Sequence, residues 1–317
     1  MKNTLTLTIV ADITSNYSEG VGNISTIQKI HRNGKTYAMR SRESMKNALM
    51  VQSGFYDDVV TFVNGAAQKL ADVEHNTATC RAYEGGYMTT GKNPYSRKGS
   101  FYLTDAIAMN SFVADTRFHT NVYLASNYAK AHNLKLQEQT DDTDVFDSEE
   151  EIENAKKGKK KEKKNPCGLM PYQYEYDRGL KKYSFTLFLD EIGVDENFKD
   201  LTVSNEEKAD RVNTLLETLE NLSLEVKGNL DNASPLFVCG GFTKYRTHVL
   251  ENLVNIKNNK IVISKALKNK LNDGLSCGIV ECGVFDNEDE IVNELCAVSV
   301  DEFFSNLRQA VKSYYGV

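Results

Sequence analysis

Tyr37-Ala38-Met39-Arg40-Ser41-Arg42-Glu43-Ser44-Met45-Lys46-Asn47-Ala48-Leu49 decides how this chain is read. Its first residues alternate as a strand does. From Ser41 the spacing becomes helical, with Met45, Ala48, Leu49 and Gln52 on one side, so a strand runs directly into a helix N-terminus. That terminus carries two hydroxyls, Ser41 and Ser44, and three cations, Arg40, Arg42 and Lys46. Unpaired N–H groups and the partial positive charge of a helix start bind phosphate, so one reading is a seat for a nucleic-acid backbone. Read otherwise, Ser41 is an ordinary N-cap and the bases form a solvated face.

Outward from this stretch, Thr4-Leu5-Thr6-Leu7-Thr8-Ile9-Val10 has the period-two pattern of a half-buried strand, ending at Asp12. Asn33-Gly34 is a turn signal before Lys35. Val59, Val60, Val63, Ala66, Ala67 and Leu70 predict a second helix over Tyr56–Leu70, and Tyr183–Leu189 reads as a strong strand. Ser204 with Glu207, and Ser299 with Glu302, are capping boxes, each followed by an apolar helical stripe. Strand-like Leu224–Lys227 and Leu236–Cys239 flank a Gly228-Asn229 turn. Interspersed strands and helices predict an α+β sandwich.

The chain has 317 residues, 40% apolar and 26% charged, enough for a sizeable core. No apolar run approaches the length that crosses a bilayer, which predicts a cytoplasmic protein without a membrane partner. Six scattered cysteines form no CxxC pair and lie near no spaced His pair, so neither zinc nor a disulfide framework is expected. No GxGxxG, GxxxxGK[ST], GxSxG or HExxH occurs, and no catalytic constellation, cofactor or metal site is expected.

A formal net charge of −6 argues against nucleic acid only as an average. Asp141–Glu153 holds eight acids and no base, while Lys156–Lys164 holds seven lysines against one acid. Without residues 141–164, 31 bases face 35 acids, yet Lys29–Lys46 alone is net +5 and Asp286–Glu302 carries seven acids and no Lys or Arg. Such segregation suits pairing between copies, although a solvated acidic loop accounts for Asp286–Glu302 equally well. Two further segments are candidates for nucleic-acid contact. In residues 80–104 the glycine-jointed hairpin interleaves Tyr87 and Tyr95 with Lys92, Arg97 and Lys98, which suits stacking on bases; packing of an edge hairpin on its domain explains the same pattern. After a strand, Gly240, Gly241 and Lys244 would let a phosphate approach the backbone, and a turn needing positive φ explains the glycines as well.

Several of these segments together resemble the DevR/Cst-type CRISPR-associated backbone subunit of type I Cascade. The likeness lies in Ile9–Ser15, Arg40–Leu49, Phe101–Ala106, Arg211–Leu216 leading to Glu225–Asn229, Ser234-Pro235 and Gly240-Gly241, in the same order along most of the chain. The resemblance implies a modified RRM-like, ferredoxin-like palm assembled from both ends of residues 1–317. It implies a β-hairpin thumb, which would fall at 80–104, and helical insertions, with the charged segment 138–166 outside the match. It also implies a non-catalytic protein whose copies assemble head-to-tail along CRISPR RNA, beside other Cascade subunits, and present the guide to target DNA. Arg40, Ser41, Arg42, Ser44 and Lys46 would then seat RNA phosphates. This chain has Ser41-Arg42-Glu43-Ser44 where the family often has a Ser-Gly-Gln type of run, and it lacks an RNP1 consensus. Other readings are a CRISPR-RNA-processing endoribonuclease using His31 as acid/base, and a non-CRISPR protein–protein scaffold.

The composition of 138–166 cannot bury enough apolar surface to offset the entropy of ordering it, and it reads as disordered. Replacing residues 141–164 by a short Gly/Ser linker is expected to leave Tm, measured by circular dichroism, within a few degrees; a large drop would show that the segment packs.

Overall fold

The computed structural model describes residues 3–17, 24–89, 94, 96–133, 136–137, 167–169, 171–198, 200–226 and 228–317. They form two compact units, one of residues 1–16, 28–112 and 177–317 and one of 17–27 and 113–176. The charged segment 138–166 lies outside the described residues.

The larger unit is built on β1 (Thr4–Thr14), β2 (Lys29–Arg32), β3 (Lys35–Arg40), α1 (Arg42–Gln52), β4 (Phe101–Leu103), β5 (Ala106–Ala108), β6 (Arg178–Phe188), α2 (Asn205–Glu220), β7 (Phe237–Thr243), α3 (Lys265–Asn272), β8 (Ser276–Ile279), α4 (Glu288–Leu295), β9 (Val298–Ser299) and α5 (Val300–Tyr315). Its nine-stranded sheet runs β9-β8-β7-β1-β6-β5-β3-β2, with β4 also paired to β6. At its centre β7, β1, β6 and the β4/β5 strands pair antiparallel, with α1 after β1 and α2 after β6. That is the ferredoxin-like order of two interleaved split βαβ units in an α+β sandwich.

The alternation of β1 dictates the layers. Leu5, Leu7 and Ile9 share a face with Leu187, Phe185 and Tyr183 of β6, and pack under Met45 and Leu49 of α1, Leu215 and Leu219 of α2, and Phe303 and Phe304 of α5. The opposite face presents Thr6 and Thr8. Their hydroxyls pair with Thr186 at 2.9 Å and Ser184 at 2.8 Å, and Thr186 reaches His248 Nδ1 at 2.8 Å. Burial depresses the pKa of His248. Further along this face, Val10, Phe237 and Cys239 pack with Leu250, Val254, Leu267, Ile291 and Leu295. Both faces of the sheet are therefore covered along β1, while Tyr102 of β4, on the Thr186 face, stays exposed.

The three serine caps and the Asn33-Gly34 turn all form as their local signals predict. Ser41, Ser204 and Ser299 cap α1, α2 and α5 by accepting from Ser44, Glu207 and Glu302 N–H groups. Asn33 and Gly34 both have positive φ and close the β2–β3 hairpin. The helix expected over Tyr56–Leu70 is instead a hairpin, Thr61–Asn64 against Ala66–Lys69, turned at Gly65 with φ +73. Asn64-Gly65 is itself a hairpin signal, and it outweighs the apolar spacing because Val63 is left 78% exposed and gains nothing from a helical face.

Gly240 lies in mid-strand opposite Leu7. A Cβ there would come within 2.1 Å of Thr6 O and 2.8 Å of Leu7 Cδ2, so close strand approach requires the glycine. Gly240→Ala is expected to cost about 1–3 kcal/mol or more in urea unfolding, the range of an overpacked core; an unchanged midpoint would free Gly240 for a role toward a ligand.

Candidate nucleic-acid interface

The +5 window divides in two when folded. Lys29, His31, Arg32 and Lys35 are exposed on the β2–β3 hairpin at the free edge of the sheet. Lys29 Nζ stands 4.6 Å from the Phe112 ring centroid. Among the described residues Arg32 and Lys35 form no ion pair. His31 Nδ1 lies 3.3 Å from Thr36 Oγ1.

The helix start is more occupied than its sequence suggests. Ser41 N–H donates to Asn16 Oδ1 at 2.8 Å, Arg42 N–H to Asp105 Oδ1 at 2.8 Å, and Ser44 N–H to Ser41 Oγ at 3.3 Å. Side chains of the same unit thus already satisfy three of the donors that an empty seat would offer a phosphate. Arg40 points inward, its Nε donating to Ser44 Oγ at 3.1 Å and its Nη1 to Thr14 O at 3.4 Å. Burial lowers its pKa, opposed by Asp231. Lys46 donates to Gly85 O at 2.7 Å, and its ammonium lies 5.1 Å from the Phe101 ring centroid. It too is lowered by burial. Of the five residues expected at the seat, Arg42 is the cation left on the surface, its Nε 2.9 Å from Glu43.

The segment 80–104 turns Tyr83, Tyr87 and Phe101 inward and leaves Tyr102 exposed. Arg81–Gly85 forms a short 3-10 turn, whose carbonyl end is held by Lys46 and by Lys69, which donates to Ala82 O at 2.7 Å and Gly86 O at 3.1 Å. Burial, with the Lys46 charge second, brings the Lys69 pKa down to about 8. Tyr87 is buried and its hydroxyl donates to Asp195 at 2.9 Å. Arg97 is buried as well, donating to Tyr83 O, Val194 O, Glu191 O and Ser100 Oγ within 2.8–2.9 Å. Lys98 is exposed; Lys92 and Tyr95 lie outside the described residues. In this structure the short hairpin Tyr87–Met88 and Ser96–Arg97 packs on its own unit.

Sequence reasoning missed the centre of that packing. Glu84 is fully buried, and its carboxylate meets Arg211 Nη1 at 2.9 Å, Gly193 N–H at 2.7 Å, Arg97 Nη2 at 3.4 Å and the Ser100 hydroxyl. Arg211 extends the chain of charges to Glu207 at 2.8 Å, which also accepts from Arg81 at 2.9 Å. A buried carboxylate facing two arginines in pieces of sequence over 100 positions apart leaves no local signal. Gly240 and Gly241 are buried in the sheet, while Lys244 is exposed just beyond it.

The smaller unit offers a different surface. Thr116–His119 pairs antiparallel with Tyr172–Glu175, which pairs parallel with Ile24–Ser25. Register puts Arg117, His119, Tyr172 and Tyr174 on one face. His119 stacks against both tyrosines, 5.4 Å from the Tyr172 ring and 5.0 Å from the Tyr174 ring, and the two tyrosine rings lie 6.1 Å apart. The Arg117 guanidinium lies 3.4 Å from the Tyr176 ring centroid. Tyr172 and His119 are exposed, and Phe118 is exposed on the other face. Stacked rings beside an arginine form the surface that unpaired bases stack on.

Among the described residues no cluster of His, Cys, Asp and Glu could hold a metal ion, and no helix is long and apolar enough to cross a membrane. Arg40→Ala is expected to lower stability by about 2 kcal/mol or more, since it strips a buried cation from its acceptors. Arg42→Ala should fall within about 0.5 kcal/mol of the parent, as exposed substitutions do. Urea midpoints of the two variants check the division between inward and outward bases.

The model of a family described as "CRISPR-associated negative auto-regulator DevR/Csa2" matches residues 6–266. No curated relative matches the sequence. Among solved structures, a chain of a "CRISPR RNA-guided surveillance complex, pre-nicking" is similar with a TM-score of 0.58 at 9% identity, covering 98% of this chain and 99% of its own. A chain of a "CRISPR RNA-guided surveillance complex" is similar at 0.51 and 12% identity, with 98% and 99% covered. At these identities the likeness is one of fold.

Proposed function

Because the chain belongs to the DevR/Csa2 family of CRISPR-associated proteins, we propose that it is a non-catalytic subunit that binds CRISPR RNA and polymerises along it in a surveillance complex. The observation that carries this reading is the β2–β3 edge hairpin, where Lys29, Arg32 and Lys35 stand exposed in an otherwise acidic protein. Cations that the fold leaves outward, beyond the reach of any described carboxylate at Arg32 and Lys35, suit an extended polyanion. Arg42 adds a fourth.

Phosphate contacts fix position, and base pairing by the guide reads sequence. In the larger unit the face of Thr6 and Thr8 is covered along β1, and Tyr102 of β4 is the ring it leaves exposed, so base contacts fall there and to His119 and Tyr172 of the smaller unit. Tyr87 and Arg97, engaged inside, serve to fix the hairpin. Assembly in several copies, next to other Cascade subunits and with target DNA paired to the displayed guide, follows from the same reading. Head-to-tail contacts are heterologous and continue until capped. The acids of α4 and the start of α5, with Glu294 paired to Lys268 at 2.6 Å, supply one face for such a contact. A cytoplasmic location suits this role.

Single-stranded RNA binding measured by fluorescence anisotropy across a salt series tests the reading. Arg32→Ala and Lys35→Ala are each expected to weaken binding alike for all sequences and to reduce the slope of log K against log salt by about 0.7. Light scattering with RNAs of increasing length should give species whose mass grows with length. Cleavage of repeat RNA, or one fixed stoichiometry at every length, would overturn the reading.

A further inference from the structure

Beyond the edge hairpin, the larger unit has a second place where cations and an aromatic ring converge. Immediately after β7, Tyr245 is 49% exposed, and its N–H is fixed by Thr243 Oγ1 at 3.2 Å. Lys244 Nζ lies 5.3 Å from the Tyr245 ring centroid, and Lys270 Nζ, from the last turn of α3, lies 5.5 Å from the same centroid. Beside the ring is a depression of about 280 Å³ with Phe242, Val249 and Leu275 among its lining residues. Asp273 stands on the rim, 3.7 Å from Lys270. Lys244 has no carboxylate partner among the described residues.

Two ammonium groups lie over one ring and line one depression, and only Lys270 has a carboxylate at hand. An anion within reach of both is attracted by both charges. Phe242, Val249, Leu275 and the Tyr245 ring line the depression, so the rest of the ligand is flat and apolar. Asp273 penalises a ligand that is anionic throughout, which disfavours an acidic peptide, and accepts from one that carries N–H donors away from its anionic end. An aromatic base joined to a phosphate has all three properties. We propose that this depression binds a single nucleotide, the base against Tyr245 and the phosphate between Lys244 and Lys270. The site is separate from the β2–β3 hairpin, so it stands or falls independently of the RNA-binding reading. Free nucleotide and a terminal nucleotide of an RNA strand share the chemistry.

Titration of the full chain with adenosine 5′-monophosphate, followed by calorimetry and by amide shifts, tests the assignment. Binding is expected, with adenosine and inorganic phosphate each weaker by roughly tenfold because each makes half of the contacts. Lys244→Gln, Lys270→Gln and Tyr245→Leu should each weaken it by about three- to tenfold, the scale of one charge-assisted or cation–π contact, with Tm unchanged. Lys35→Ala should leave it intact. If a 5′-phosphorylated RNA displaces the nucleotide and the same RNA with a 5′-hydroxyl does not, the ligand is a strand end; if neither does, it is the free nucleotide, and both results support the pocket. No binding at millimolar nucleotide, equal binding by the three variants, or an oligoglutamate peptide shifting Tyr245 where the nucleotide does not, would overturn it. Loss of long-RNA binding with nucleotide binding retained would strike only the function proposed above.

Discussion

β1 pairs with β6 over eleven residues and with β7 over seven, and the rest of the larger unit is arranged to bury that strand on every side. An antiparallel strand in mid-sheet has its backbone groups satisfied laterally, so what remains is to cover two faces of different chemistry. The Leu5, Leu7 and Ile9 face takes three amphipathic helices. The Thr6 and Thr8 face cannot take apolar cover without leaving hydroxyls unpaired, and it solves this with a ladder to Thr186, Ser184 and His248. His248 belongs to the segment after β7, so the ladder also seats that segment over the sheet. Close passage of β7 against β1 then needs Gly240, and the start of the same segment carries Tyr245.

Interior lysines and arginines make up a second layer of constraint. Lys181 is fully buried, donating to Ile13 O at 2.8 Å and pairing with Asp177 at 2.6 Å. Lys182 donates to Glu251 O and Val254 O at 2.6 and 2.8 Å, again holding the segment after β7. Lys46 and Lys69 do the same for the 81–86 turn. In each case a long flexible stem lets an ammonium reach carbonyl oxygens that regular structure leaves unpaired. Charge counts alone therefore overstate the basic surface: of six cations between Lys29 and Lys46, Arg40 and Lys46 are spent inside.

Local signals were legible in the sequence, and long-range ones were not. The N-caps, the Asn33-Gly34 turn, and the strands beginning at Thr4 and ending at Phe188 depend on neighbours within a few residues, so pattern and propensity find them. Thr61–Lys69 was misread because its apolar spacing fits a helix while Asn64-Gly65 fixes a hairpin. α3 and α4 are eight residues each and lean on the core of the second face, which the pattern of neither helix announces. The candidate site shows the same split. A motif such as Arg40–Lys46 identifies residue types, but whether a guanidinium meets solvent or Thr14 O depends on strands that pair across more than 100 positions. The division into two units was equally invisible, since the smaller one is assembled from 17–27 and 113–176.

The nucleic-acid-binding role proposed above requires cations that hold the fold to be separate from cations that meet phosphate. Here burial makes that separation. Desolvation weakens the charged state of Arg40, Lys46 and Lys69, and backbone carbonyls compensate it, so those groups are bound into the fold whatever the salt. The β2–β3 hairpin keeps its charges in water, where they cost nothing to present and remain open to exchange with a polyanion and its counterions. An edge strand also has unpaired backbone groups, and lysine and arginine along it discourage pairing with the edge of another copy. The same cations thus guard the sheet edge and, in the role proposed above, are the ones available to a phosphate backbone.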